Sequence, residues 1–293
     1  MTTFLLALHL LAADTAQHPF PYSIKESPSK FEWKKFEAPV SKHFRDSILD
    51  VFKLEYPFFF EHENTKSEIY DSSFHFVHLN NDRFPDVVYE GWTSGEGTMV
   101  DIYINRQWRM EKVFTEYMKV IDWTFVNKQL NKIVILNYGC CASNVEFEMH
   151  YQVDGNFKFS LIRQRAILVG MDDVIQESIG QDAYFEEPVS FKTLNQGYAL
   201  RYSPEISNKV PEALDIALGD RTSGNIIALY PSGAEGIAWG YQKDATGREW
   251  WLVEMQPQAD LSFTHFWNNE ERPTWYFGWM SSRFLQFSTD QQN

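Results

Sequence analysis

The chain has 293 residues, of which 44% are hydrophobic and 23% charged, enough for two modest cores or one large one and too apolar for extensive disorder. Its formal charge of −14 argues against a sequence-independent grip on nucleic acid and against an anionic membrane surface, since both need clustered Lys and Arg. An aromatic share of 16%, with 24 Phe and 14 Tyr, suits pleated, half-buried surfaces and so favours strands.

The first fourteen residues include an apolar stretch, Phe4 to Ala13, too short to cross a bilayer but suited to a signal-peptide core. Residues 1–16 are therefore read as a signal peptide cut near Ala12, Ala13 or Ala16, and the protein as periplasmic or secreted. The alternative is a buried N-terminal helix or strand. No transmembrane segment is expected. In residues 41–55, Phe44, Ile48, Val51 and Phe52 fall on one face of a helix, with Ser41 as its N-cap.

Residues 74–162 read as strands in two similar stretches. In the first, 74–78 and 86–89 flank a polar turn. A strand at 100–104 then alternates Val100, Ile102 and Ile104 with Asp101 and Tyr103, and a last strand runs over 108–114. In the second, 123–126 and 133–136 precede a longer alternation, Val145, Phe147, Met149, Tyr151 and Val153 against Glu146, Glu148, His150 and Gln152. Such alternation predicts one buried face and one wet face. Asp154-Gly155 then turns the chain into Phe157, Phe159 and Leu161. The period is about 48 residues with four strands per unit, the size of a propeller blade. Two units cannot close a propeller, so residues 17–180 are read as an antiparallel sheet domain with a flanking helix. Residues 181–196, with Glu186-Glu187-Pro188, are read as a linker, and 197–287 as a second, smaller β unit.

The turn His78-Leu79-Asn80-Asn81-Asp82-Arg83-Phe84-Pro85-Asp86 resembles the Asp-rich calcium loop of integrin-type (FG-GAP, VCBS-like) propeller repeats. Asn80, Asp82 and Asp86 match ligand positions, and oxygen ligands on a tight loop are what calcium requires. His78 stands where that pattern has Asp, and Arg83 where it has Gly. A metal-free turn is the expectation, with calcium on these three residues the alternative.

In the last third, Leu200-Arg201, Pro204, Trp250, Val253, Gly278-Trp279, Ser282 and Phe284-Leu285 occur in the order that resembles a bacterial SH3-like (SH3b) domain. The resemblance covers about 198–285, with insertions at 208–222 and 256–273, and implies a small SH3-like β-barrel. Six of the ten tryptophans lie here: Trp239, Trp250, Trp251, Trp267, Trp275 and Trp279. Neighbouring strand residues point to opposite faces, so one of Trp250 and Trp251 is expected outside the core. Trp250, Trp279 and Phe284 are assigned to that core. Trp239, Tyr241, Trp251, Trp267 and Trp275 are expected to line a groove, unless the 256–273 insertion folds over them. The resemblance implies recognition of a peptide, a cell-wall component or an envelope protein.

A structural subunit of an envelope assembly is the alternative. Catalysis is not expected. Cys140 and Cys141 could supply a hydrolase nucleophile with His150, but they lie between glutamate-rich strands, without the electropositive setting a thiolate needs. No Gly-x-Ser-x-Gly, His-Glu-x-x-His or phosphate-loop motif occurs.

Overall fold

A computed structural model describes residues 31–55, 72–92, 97–107, 109–138, 145–168, 170, 171, 174, 184–211, 224–264 and 272–287. The predicted signal peptide, Cys140, Cys141 and Trp267 lie outside these residues. The fold is mainly β, as the aromatic composition implies, with one α-helix, α1 (Lys42–Glu55). No described helix is long and apolar enough to cross a membrane.

The first repeat is the antiparallel meander β1 (Phe74–Val77), β2 (Asp86–Trp92), β3 (Thr98–Arg106) and β4 (Arg109–Tyr117), a four-stranded sheet in chain order. The second is β5 (Lys119–Val126), β6 (Gln129–Asn137), β7 (Val145–Val153) and β8 (Phe159–Leu168), also paired in chain order. The two meanders share one core. Val88, Val100, Ile102 and Ile104 of the first meet Trp123, Ile133, Ile135, Met149 and Tyr151 of the second.

The wet face expected on β3 is not wet. α1 lies over it, placing Phe44, Ile48 and Phe52 against Phe74, Phe76, Tyr89 and Tyr103. Val51, expected on that face, is half exposed. Ser41 does cap the helix, its Oγ accepting the Phe44 N–H at 3.1 Å. Asp101 is thereby fully buried and survives because its carboxylate is saturated. It accepts Lys112 Nζ at 3.1 Å and Thr115 Oγ1 at 2.6 Å.

The remaining strands are β9 (Tyr184–Thr193), β10 (Tyr198–Arg201), β11 (Ile226–Tyr230), β12 (Glu235–Lys243), β13 (Glu249–Met255), β14 (Phe263–Thr264), β15 (Thr274–Ser281) and β16 (Leu285–Phe287). Residues 184–193, expected within a linker, are thus a strand hydrogen-bonded to β12 on one side and β16 on the other. Edge-type strands tolerate the charges and proline of Glu186-Glu187-Pro188, which explains why the segment reads as a linker. β15 pairs antiparallel with β13 and parallel with β8, so both halves of the chain belong to one twelve-stranded sheet. The small closed barrel expected for 197–287 is corrected accordingly. The strand path opens into the neighbouring meander at β15 instead of returning on itself.

Close approach within the C-terminal unit depends on two glycines. A Cβ on Gly278 would lie 2.7 Å from the Arg201 carbonyl oxygen, where β10 crosses β15, and one on Gly236 would lie 2.6 Å from Phe191 Cζ.

His75 on β1 stacks on Trp33 at 4.1 Å between ring centroids. Burial holds its pKa at about 4 against the opposing pull of Glu37, with Arg45 lowering it further. The folded value lies below the unfolded one, so this stabilisation is complete above about pH 6.5 and is lost as pH falls toward 4. The loss is on the order of 3 kcal/mol. Urea melts should show it as a wild-type minus His75→Phe stability difference that falls between pH 7 and pH 4, since Asp86, raised by burial to about 6, acts in the opposite sense in both proteins.

Candidate functional site

The C-terminal unit exposes a group of aromatic side chains at one end of its core. Register places Tyr241 of β12 opposite Trp251 of β13, so both lie on the face that also carries Val253 and Met255. Trp251 is only 3% exposed because three rings from β9 and β16 surround it. Their centroids lie at 5.4 Å (Phe185), 6.2 Å (Phe191) and 4.6 Å (Phe287). Its indole N–H donates to Glu249 Oε1 at 2.9 Å. Around this filled centre the rim is open. Tyr241 is 37% exposed and stacks on Phe185 at 5.5 Å, and Phe287 is 49% exposed. The rings form a platform of offset and edge-on contacts with buried undersides.

The five residues expected to form a groove are not all gathered here. Tyr241 and Trp251 belong to this platform. Trp239 is buried at the irregularity where the β12–β13 register shifts between Ala238 and Gly240. Trp275 lies on the opposite face of β15, the face of Phe277 and Glu254, under the Arg163 guanidinium at 4.3 Å. Trp267 lies outside the described residues. The expectation that one of Trp250 and Trp251 points outside the core is corrected, since both are buried. Trp250 donates its indole N–H to Asp244 Oδ2 at 2.9 Å. Trp279 is buried as assigned, whereas Phe284 is 36% exposed and meets Tyr198 edge-on.

Phe185 and Phe287 were missed because they lie in the apparent linker and past the last matching residue of the resemblance. The signal was present: Phe185, Val189 and Phe191 share one parity of a strand, and Leu285 and Phe287 another.

A second concentration of chemistry lies beneath Trp275. Arg165 of β8 is 3% exposed and reaches two carboxylates. Its Nε donates to Glu254 Oε1 at 2.7 Å and its Nη1 to Glu148 Oε1 at 3.0 Å. Arg163 pairs with the other oxygen of Glu254 at 2.5 Å. His150, expected to be solvated, is hydrogen-bonded to Glu148. Burial alone would raise Glu148, but the His150 hydrogen bond and the Arg165 charge outweigh it and hold the carboxyl below its usual range. Every member thus has an opposite partner, which makes the cluster a joint between β7, β8 and β13.

The calcium-like loop is held by its own backbone. Asp86, fully buried, accepts the Leu79 N–H on one oxygen at 2.8 Å and the Asn105 N–H on the other at 2.9 Å. Burial raises it to about 6, despite those hydrogen bonds. Asn80 Oδ1 accepts the Asp82 N–H, and Asp82 Oδ1 the Phe84 N–H, both at 2.8 Å. These oxygens each hold a successive turn of the loop through a backbone N–H. No group of three or more His, Cys, Asp or Glu among the described residues could hold a metal.

Glu254→Gln should destabilise the chain by about 3 kcal/mol in urea, because it leaves the buried Arg165 with Glu148 alone and the half-buried Arg163 against a neutral amide. Asp86→Asn should cost about 1–3 kcal/mol by the same measurement, since an amide can accept only one of the two backbone N–H groups. The chain matches no family model, no curated protein and no solved structure.

Proposed function

We propose that this protein is a non-catalytic binding protein of the cell envelope that recognises an extended peptide, as part of a cell-wall component or a partner protein, on the Phe185–Tyr241–Phe287 platform. The observation that carries this reading is the exposed aromatic rim around a fully packed Trp251, drawn from four strands whose positions are fixed by the sheet. Rigid aromatic rings bury large areas while losing little conformational freedom, which makes them effective anchors.

The order of elements supports an SH3-like reading of this half. The long strand β9 leads into the β10–β11 hairpin, and β12, β13 and β15 follow as an antiparallel set. A single 3-10 turn (Ser282–Phe284) returns the chain to β16, which pairs with β9. In this reading the SH3-like unit starts at β9, earlier than the 198–285 span of the matching residues. The paired state of Arg165, Glu148 and Glu254 favours a structural over a catalytic role for this buried charge cluster and its histidine.

Calorimetric titration of the full chain with soluble cell-wall stem peptides tests the proposal. Binding should be observed, and Tyr241→Ala or Phe287→Ala should each weaken it by about 1–3 kcal/mol while leaving the near-ultraviolet dichroism of the buried tryptophans intact. Affinity unchanged by both substitutions would remove the platform from consideration.

A further inference from the structure

Several basic side chains in this acidic protein are matched to a carboxylate. Lys112 pairs with Asp101, Arg106 with Glu111, Arg163 and Arg165 with Glu254, Lys192 with Glu235, and Arg272 with Glu116. Arg248 and Arg283 depart from this pattern, with no ion pair to either among the described residues. They also share a place. Both line one depression of about 360 Å³ between the β12–β13 turn and the corner after β15, together with Thr246, Gly247, Glu249, Ser281 and Ser282.

The acids nearest the depression are committed elsewhere. Asp244 Oδ1 accepts the Thr246 N–H at 2.8 Å and the Arg248 N–H at 3.1 Å, while its Oδ2 takes the Trp250 indole. Glu249 holds the Trp251 indole with Oε1. These carboxylates therefore build the turn and the core and leave both guanidinium forks without a salt bridge. The forks are partly positioned already. Arg248 lies over the Trp250 ring at 5.7 Å and Arg283 over Phe284 at 5.4 Å. Arg201, held by Asn225 Oδ1 at 2.7 Å, adds a third positive charge nearby. Burial, and then the Arg248 charge, lower its affinity for a proton, so the two groups sense one another. Three guanidinium groups against the carboxylates of Asp244 and Glu249 leave the depression with one positive charge in excess, in a chain of net charge −14.

We propose that this depression is an oxyanion-binding site that takes a carboxylate or phosphate group between the Arg248 and Arg283 guanidinium groups, with the Ser281 and Ser282 hydroxyls as neutral donors. Planar guanidinium forks match the paired oxygens of such groups, and charge-assisted hydrogen bonds are the stronger kind. Hydroxyl donors add contacts without opposing charge. The site is distinct from the aromatic platform but adjoins it through Glu249, which holds the Trp251 indole. Ser281 lies across from Trp250, whereas Tyr241 lies across from Trp251, so the two surfaces belong to opposite faces of β13.

The test is a backbone amide NMR titration of the full chain with three probes: inorganic phosphate, N-acetyl-alanyl-alanine, and the C-terminal amide of that dipeptide. Shifts at Gly247, Arg248 and Ser282 that saturate with the free dipeptide but not with its amide support the site and identify a carboxylate. Saturating shifts with phosphate alone support it and identify a phosphate. In either case Arg248→Gln and Arg283→Gln should each weaken binding about tenfold, the loss of one charge-assisted contact. Arg106→Gln, whose partner Glu111 is remote from the depression, should leave binding unchanged. No saturating shift with any probe, or shifts equal in wild type and in a double Arg248→Gln, Arg283→Gln variant that keeps a dispersed spectrum, would overturn the proposal.

Discussion

The structure depends on Arg165. It stands on β8 where that strand meets β15 in parallel, and it is too deeply buried to remain charged without a carboxylate on each side. Glu148 from the second meander and Glu254 from the C-terminal unit supply them. Desolvation makes any other alignment of these strands costly, because a slip by one residue would carry the guanidinium to the opposite face and strand both acids. A single polar network thereby fixes the register between the two halves of the chain. Gln164 and Thr274 reinforce it with a buried hydrogen bond of 2.8 Å across the same joint.

The same logic explains why alternating strands carry buried acids on their polar faces. β3 and β7 carry strict polar–apolar alternation, which in an isolated sheet means one wet face. Here α1 covers the Asp101 face of β3, and the β8 arginines cover the Glu148 face of β7. In both cases acidic residues are retained inside because neighbours provide cations and hydroxyls at hydrogen-bonding distance. The polar face is a second packing layer, satisfied by charge where the first is satisfied by apolar contact.

Much of the architecture was legible in the sequence. The two four-stranded repeats follow from period-two alternation and their turns, and the helix from Phe44, Ile48 and Phe52 with the Ser41 cap. What was not legible was the neighbourhood of each element. Glu186, Glu187 and Pro188 have the composition of a linker, yet β9 accommodates them since it is flanked for only part of its length. Trp251 has the character of an exposed anchor, but Phe185, Phe191 and Phe287 arrive from sequence positions more than thirty residues to either side and enclose it. Tyr241 kept its expected exposure because its strand neighbours there are Lys243 and Trp251, which leave one ring face uncovered. Long-range pairing, which no local pattern encodes, decided each of these cases.

The parallel seam between β8 and β15 also bears on what counts as a separable piece of this molecule. Cutting the chain before β9 would deprive the C-terminal unit of its lateral partner at β15 and leave Glu254 facing water without Arg163 or Arg165. Cutting it within β9 would in addition strip Trp251 of its cover. The halves should therefore melt together in one cooperative transition, and a shuffled copy of the tail on another scaffold would need a substitute strand at that seam. Charge pairing across the seam thus ties together two halves that the sequence presents as modular.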